Sequence, residues 1–361
     1  MQRRHFLGLS GAAALATLAG FPQRAVHAQA AYSAVDLGLP NGFESVVPVA
    51  LNNNSVAIVT ASSASGTGIF LVENGAFTQL GEPDESAYPA AIDDSNNVGG
   101  WVTGASDGST QAEDVPMLFT PDGQVELPGN RLVGRVYALG AGGEAVGEAA
   151  TDKKHAARRA VIWDNQEVVE LKGTPEGAAS AALDINGLGQ VVGWIGSDDG
   201  SQRRAVLFSL DEDPVELGAL GGSLSEATAI SEQGMIVGNS STSDEQTELM
   251  GSGIAAFSWI DGAMTPLHSL ENQAWSTAAD VSSFGLVAGT VGLPTPATAG
   301  PATTAVVWAP DAVLDLNQIA QPIDGLTLVA AVAINELGQI LCTAVDAAGG
   351  SRAVLLSVLG N

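Results

Sequence analysis

The chain has 361 residues with 40 acidic against 13 basic side chains, a net charge of −27, and one cysteine. A field of that sign repels nucleic acid and anionic lipid, so neither is expected as a partner. A single cysteine excludes an intrachain disulfide and leaves burial to supply stability.

Residues 1–30, MQRRHFLGLSGAAALATLAGFPQRAVHAQA, have a positive start, an apolar run to Gly20 and small residues at Ala28 and Ala30. That order is an export signal rather than a membrane anchor: the apolar run is too short to span, and Pro22 and Arg24 interrupt it. The stretch RRHFLG resembles the twin-arginine signal family, with Arg3 and Arg4, a variable residue, then Phe6 and Leu7; Gly8 stands where lysine is frequent. The resemblance implies export of an already folded protein to the periplasm or beyond. With the signal set aside, residues 31–361 are read as one domain, with no stable membrane insertion after cleavage. Acid excess with few lysines (Lys153, Lys154 and Lys172) suits a salty exterior, although a merely acidic mesophile would look the same.

The stretch ALDINGLGQVVGW, from Ala182 to Trp194, returns in weaker copies at intervals of about 40–50 residues. Taking Asn186 as the landmark, the copies fall at Asn52, Asp93, Gly140, Ser231, Ser282 and Asn335. Each landmark follows an alternating run and precedes a β-branched one, as two strands joined by a short turn would. Three residues after the landmark stands Gly143, Gly189, Gly234, Gly285 or Gly338, or Asn96 in the second copy. Such residues supply the positive φ that a type I turn closing on a bulge requires. Ser55 is the departure, which makes the first hairpin the weakest expectation.

A second landmark ends a third run in each unit, at Leu71, Phe119, Trp163, Phe208, Trp259, Trp308 and Leu356. Turn signals such as ENG, PDG and DG follow, and then a fourth short run such as AFTQLG. Four up-and-down strands per unit is the pattern of a propeller blade, and the period-2 alternation with 44 glycines excludes a helical solenoid. The seventh unit lacks a fourth strand, while AYSAVDLGLP near residue 31 carries a DLG resembling fourth-strand text. The fold expected is therefore all-β: a seven-bladed β-propeller of four-stranded antiparallel blades whose N-terminal strand completes the last blade. Six or eight blades are the alternatives.

The pairs AISEQGMIVG with AFSWIDGAMTPL, and INGLGQVVG with VELGALGGSLSEATAI, resemble the HAF-type extracellular repeat family of exported bacterial proteins. The resemblance covers nearly all of the chain beyond the signal, most clearly Ala182 to Leu267. It implies secretion and a repetitive β fold, and it carries no catalytic residues to transfer.

No chemistry-bearing motif stands out. His155 and His268 lie in no zinc-binding spacing, no GxSxG elbow or phosphate-binding loop occurs, and the glycines track turns. No catalytic residue, metal or cofactor is assigned. Cys342, in the slot of the VVG glycine, reads as a small buried hydrophobe. Trp163, Trp259 and Trp308 share one third-strand slot, which argues for packing between blades. Asp184 and Asp280 replace the alanine before the landmark hydrophobe on the first strand, beside the central channel. They would hold a cation or a water there, or else bond locally to backbone or an arginine; one pair of carboxylates is too few oxygens for calcium.

Loops between second and third strands vary most in length, and length variation on one face of a rigid scaffold is where binding evolves. The same face collects Lys153, Lys154, His155, Arg158 and Arg159 in the third unit and Arg203 and Arg204 in the fourth, with Trp194 nearby. Four arginines set side by side would grip a carboxylated sugar or acidic peptide, unless they neutralise neighbouring acids. Two functions remain open at this point: a non-catalytic exported binding or scaffold module for a glycan, anionic or otherwise, an envelope component or a protein, and a polysaccharide lyase or hydrolase with its site at the channel mouth.

Overall fold

The computed structural model describes residues 31–359 except 65, 82–85, 105–112, 129–132, 151–156, 165–166, 198, 200, 211, 246–248, 250–251 and 293–302. The expected export signal therefore lies outside the described residues, as do Lys153, Lys154 and His155. Seven four-stranded antiparallel sheets form a ring, a seven-bladed β-propeller. Six blades are contiguous in sequence: residues 45–79, 87–126, 134–170, 179–218, 225–266 and 275–315. The seventh takes three strands from Leu326–Ile334, Ile340–Asp346 and Ser351–Val358 and its fourth from Tyr32–Asp36, which pairs antiparallel with the last strand from Tyr32 opposite Val358 to Asp36 opposite Val354. The backbone around Tyr32 also bonds the link between blades 6 and 7: Ala31 N donates to the Ile319 carbonyl, and Gln321 N to that of Tyr32.

The alternating runs become strands because each blade packs both faces against its neighbours. Among the described residues the core is accordingly a set of wedges, such as Ala182, Val206, Ile162 and Leu171 between blades 3 and 4. The third-strand tryptophans serve those wedges. Trp163 and Trp308 are buried, and their indole N–H groups donate to the carbonyls of Pro128 and His268 in the segment left by the preceding blade. Trp259 packs at the edge of its cluster.

All seven inner turns have the expected geometry. The residue three after each landmark has positive φ, from Ser55 at 64° to Gly143 at 90°, so the first hairpin forms although it lacks glycine. Where the landmark is Asn or Asp its side chain closes the turn, as Asn186 Oδ1 does by accepting from Leu188 N and Gln190 N.

One set of glycines has a different reason from the one expected. Every first strand carries an extra residue against the second: Val49, Ala90, Tyr137, Leu183, Thr228, Ala279 and Val332. Beside that bulge the second strand brings Gly100, Gly147, Gly193, Gly238 or Gly289, and a Cβ on any of them would run into a first-strand carbonyl oxygen, that of Arg135 for Gly147 and of Ala181 for Gly193. The VVG glycines are thus close-approach residues rather than turn residues. In blades 1 and 7 Val59 and a buried Cys342 take the slot.

Candidate functional site

An up-and-down ring has two faces, one carrying the turns within the inner and outer hairpins, the other carrying the longer loops and the connections between blades. The predicted basic residues within the described set start the third strands on the loop face. Strand alternation divides them, however, so they do not form one cluster. Arg158 donates from Nη1 to Glu148 at 2.8 Å and from Nη2 to Asp114 of blade 2 at 2.9 Å. Arg159 turns the other way and donates to the Thr174 carbonyl at 2.9 Å, with Glu170 at 3.8 Å. In blade 4, Arg203 reaches Glu226 of blade 5 at 2.8 Å and lies over the Trp194 ring at 4.5 Å, whereas Arg204 faces Glu216 at 3.9 Å. Trp194 itself is buried and forms the floor beneath Arg203. Each of the four guanidinium groups therefore has an acidic neighbour, the neutralising arrangement weighed above.

Arg135, which the sequence reading did not single out, completes the network. Its Nε donates to Asp114 at 2.7 Å, and Thr103 Oγ1 donates to the same carboxylate at 2.7 Å. Burial alone would raise the Asp114 pKa, but the hydrogen bonds from Thr103 and Arg158 and the charge of Arg135 outweigh it and hold the carboxyl below its ordinary value. Burial, reinforced by the charge of Glu148, pushes the Tyr137 hydroxyl up to about 12.

The same tier holds an aromatic group. Tyr88 and Trp101 face each other across the first two strands of blade 2 and stack at 5.4 Å and 14°. Arg135 of blade 3 lies 5.1 Å from the Trp101 ring, and Tyr137 meets that ring edge-on at 5.9 Å. Tyr88 is 44% exposed and forms the outer step. The corresponding cross-strand pairs elsewhere are Thr277 with Thr290, Ala330 with Thr343 and Val47 with Thr60, so large and charged side chains at this level belong to blades 2 to 5. Three aromatics spread over two sequence units carry no local motif; only aligning the units on their landmarks would have grouped them.

Asp184 and Asp280 sit on the first strands of blades 4 and 6, and the slot holds Ala50, Ala91, Ala138, Ala229 and Ala333 in the others. Asp184 accepts from Ile185 N and from Ile230 N of blade 5, both at 2.8 Å; Asp280 accepts from Val281 N at 2.7 Å and from Ile334 N of blade 7 at 2.8 Å. They are staples between blades. Burial raises their pKa values to about 7 and about 6, against the pull of those hydrogen bonds, and the nearby Asp280 charge adds to the rise at Asp184. A carboxyl raised on folding keeps a proton that the unfolded chain has lost. Its stabilisation is therefore full below about pH 4 and is lost as pH rises through about 6 and 7. Thermal unfolding of wild type and Asp184→Asn between pH 4 and 8 should show the wild type losing midpoint more steeply with rising pH. Parallel curves would remove Asp184 as the source.

Among the described residues no three His, Cys, Asp or Glu side chains gather as a metal site requires. A hollow of about 400 Å³ beside Arg204 and Glu216 is lined by Pro175, Ile195, Gln202 and Ser223.

No protein-family model and no curated protein matches the sequence. Among solved structures, the chain is similar to the β-propeller domain of the Trilobed protease from Pyrococcus furiosus, described as having an open velcro topology (8% identity, TM-score 0.57, 88% of this chain and 94% of that one). It is also similar to a streptogramin B lyase (9% identity, TM-score 0.51, 92% and 100%). A prolyl endopeptidase matches at 12% identity and TM-score 0.50 over 89% of this chain, which spans only 51% of that protein. At such identities the likeness defines the class, a β-propeller, and nothing finer. The particular molecule is a seven-bladed member closed by its own N-terminal strand, unlike the open arrangement named for the Pyrococcus domain.

Proposed function

We propose that this protein is an exported, non-catalytic binding propeller of the HAF-repeat type that takes a glycan on its loop face. The observation carrying this reading is the exposed Tyr88 stacked on Trp101, backed by Arg135 and Tyr137, in a ring whose blades 6, 7 and 1 have only small or aliphatic side chains at that level. A flat aromatic step receives the C–H face of a sugar ring, while neighbouring guanidinium and carboxylate groups meet its hydroxyls. The arginines are already paired with acids, which favours hydroxyl recognition over capture of a bare carboxylate. An envelope glycan fits the export that the twin-arginine-like leader supports, to the periplasm or the medium.

A glycan array probed with the protein lacking residues 1–30, beside Tyr88→Ala and Arg203→Ala variants, tests the reading. Binding to defined glycans that falls at least tenfold, about 1.4 kcal/mol, in Tyr88→Ala supports it. Equal binding by wild type and Tyr88→Ala counts against it. One observation favours the enzyme alternative: Asp184 and Asp280 titrate near neutrality, as acid–base groups do. Their oxygens are occupied by backbone N–H groups, so the binding reading is preferred. Polysaccharide cleavage lost in an Asp280→Asn variant would reverse that preference.

A further inference from the structure

The opposite face, made of the turns within the hairpins, has a chemistry of its own. The two central turn residues after the landmark must point away from the sheet, and polar residues are usual there. In blades 4, 6 and 7 the second of them is Leu188, Phe284 and Leu337, which are 57%, 54% and 53% exposed. In the other blades the slot holds Asn54, Ser95, Gly142 and Gln233. Solitary exposed apolar residues are ordinary, but three large ones repeated at one slot around one rim are not.

The rim that holds them is fixed. Glu336 accepts from Ser283 N of blade 6 at 3.0 Å, Asn53 of blade 1 accepts from Glu336 N at 2.9 Å, and Asp94 of blade 2 accepts from Asn53 N at 2.9 Å. Glu232 of blade 5 likewise accepts from Gly187 N at 2.9 Å, beside Leu188. The apolar tips thus stand on turns whose backbones are tied to their neighbours, so little ordering entropy remains to be lost on contact.

Charge on this face has one sign. The inner turns carry Asp94, Glu144, Glu232 and Glu336, and every outer turn of blades 1 to 6 has at least one acid, such as Glu73, Asp122 or Asp261. Among the described residues no Lys, Arg or His lies in these turns; Arg135, Arg158, Arg159, Arg204 and Arg352 occupy the opposite ends of their strands, Arg203 directly precedes one, and Lys172 and His268 lie in connections between blades. The acids that staple the rim accept hydrogen bonds from neutral backbone N–H groups, so their negative charge is not cancelled.

We propose that the turn face is an interaction surface for a protein partner presenting a cationic, apolar-anchored segment, with Leu188, Phe284 and Leu337 receiving its apolar side chains and the acidic turns its lysines and arginines. Charge complementarity selects this occupant: anionic lipid and nucleic acid are repelled, and Arg135, Arg158, Arg159, Arg203, Arg204 and Arg352 of a second copy are already engaged with acids of their own chain. The surface stands on observations independent of the glycan reading and survives its failure.

A short amphipathic Leu/Lys peptide serves as probe, with Ala/Lys and Leu/Glu versions as controls, and binding is followed by fluorescence anisotropy at two salt concentrations. The Leu/Lys peptide is expected to bind most tightly and to weaken as salt rises. The triple variant Leu188→Ser, Phe284→Ser, Leu337→Ser should bind it roughly tenfold more weakly with an unchanged thermal midpoint, since all three side chains are exposed; Tyr88→Ser, on the other face, should bind as wild type does. Equal binding by the triple variant, equal binding of the Ala/Lys peptide, or loss of binding in Tyr88→Ser would each overturn the proposal. So would sedimentation showing a wild-type dimer that the triple variant abolishes, because the occupant would then be a second copy.

Discussion

A protein beginning at Leu37, without the strand Tyr32–Asp36, is expected to unfold at a markedly lower urea concentration, with a loss on the order of 5 kcal/mol, and to aggregate when concentrated. The deletion removes the ladder to Val354–Val358, the burial of Tyr32 and the partner of Arg352, whose Nη2 donates to Asp36. It also leaves the strand Ser351–Val358 as an open edge, a template for pairing with other molecules. Asp36→Asn separates the two contributions: it weakens the ion pair and keeps the strand, so its cost should stay near 1 kcal/mol because both side chains are partly solvated. Adding the peptide AYSAVDLGLP to the shortened protein should restore part of the lost stability. Coincident urea midpoints for full and shortened proteins would mean that the pairing contributes little.

The second large effect belongs to the bulge glycines. Gly147→Ala and Gly193→Ala should each cost at least about 3 kcal/mol, because the added Cβ meets a backbone carbonyl that can recede only by distorting the inner hairpin. The comparison is Gly143→Ala in a turn, where φ is 90° but no atom lies near the added carbon; strain alone should cost about 1 kcal/mol. Denaturant titration of the three variants decides the matter. A Gly147 variant no worse than the Gly143 variant would mean that the first strand yields easily.

These glycines show where the sequence ran out. The landmarks, the turn residues and the closing strand were legible because each obeys a local rule repeated seven times: Asn186 caps its own turn, Gly189 turns the backbone, and the DLG of residues 36–38 matches fourth-strand text. The reason for Gly193 was not legible, since it depends on a bulge in the facing strand, and nothing in VVG distinguishes a crowded glycine from a turning one. The arginine pairs misled for a related reason. Adjacent letters in RRAV suggest adjacent charges, yet a strand sends Arg158 to Asp114 and Arg159 to Thr174. Asp184 and Asp280 lie on first strands, and each accepts backbone N–H bonds from its own strand and from a neighbouring blade. The apolar tips Leu188, Phe284 and Leu337 were readable in principle, as hydrophobes at the centre of a polar turn, but a rule that sends attention to long loops passes over short ones.

The pairing of Asp36 with Val354 joins residues that leave the ribosome at opposite times. The strand Tyr32–Asp36 must wait, single and unsatisfied, until the last one has been made, and ring formation is then a late, topologically distant event that local structure cannot hasten. A molecule assembled in that order gains from completing its ring before it meets other chains, since until then the strand Ser351–Val358 is an unpaired edge.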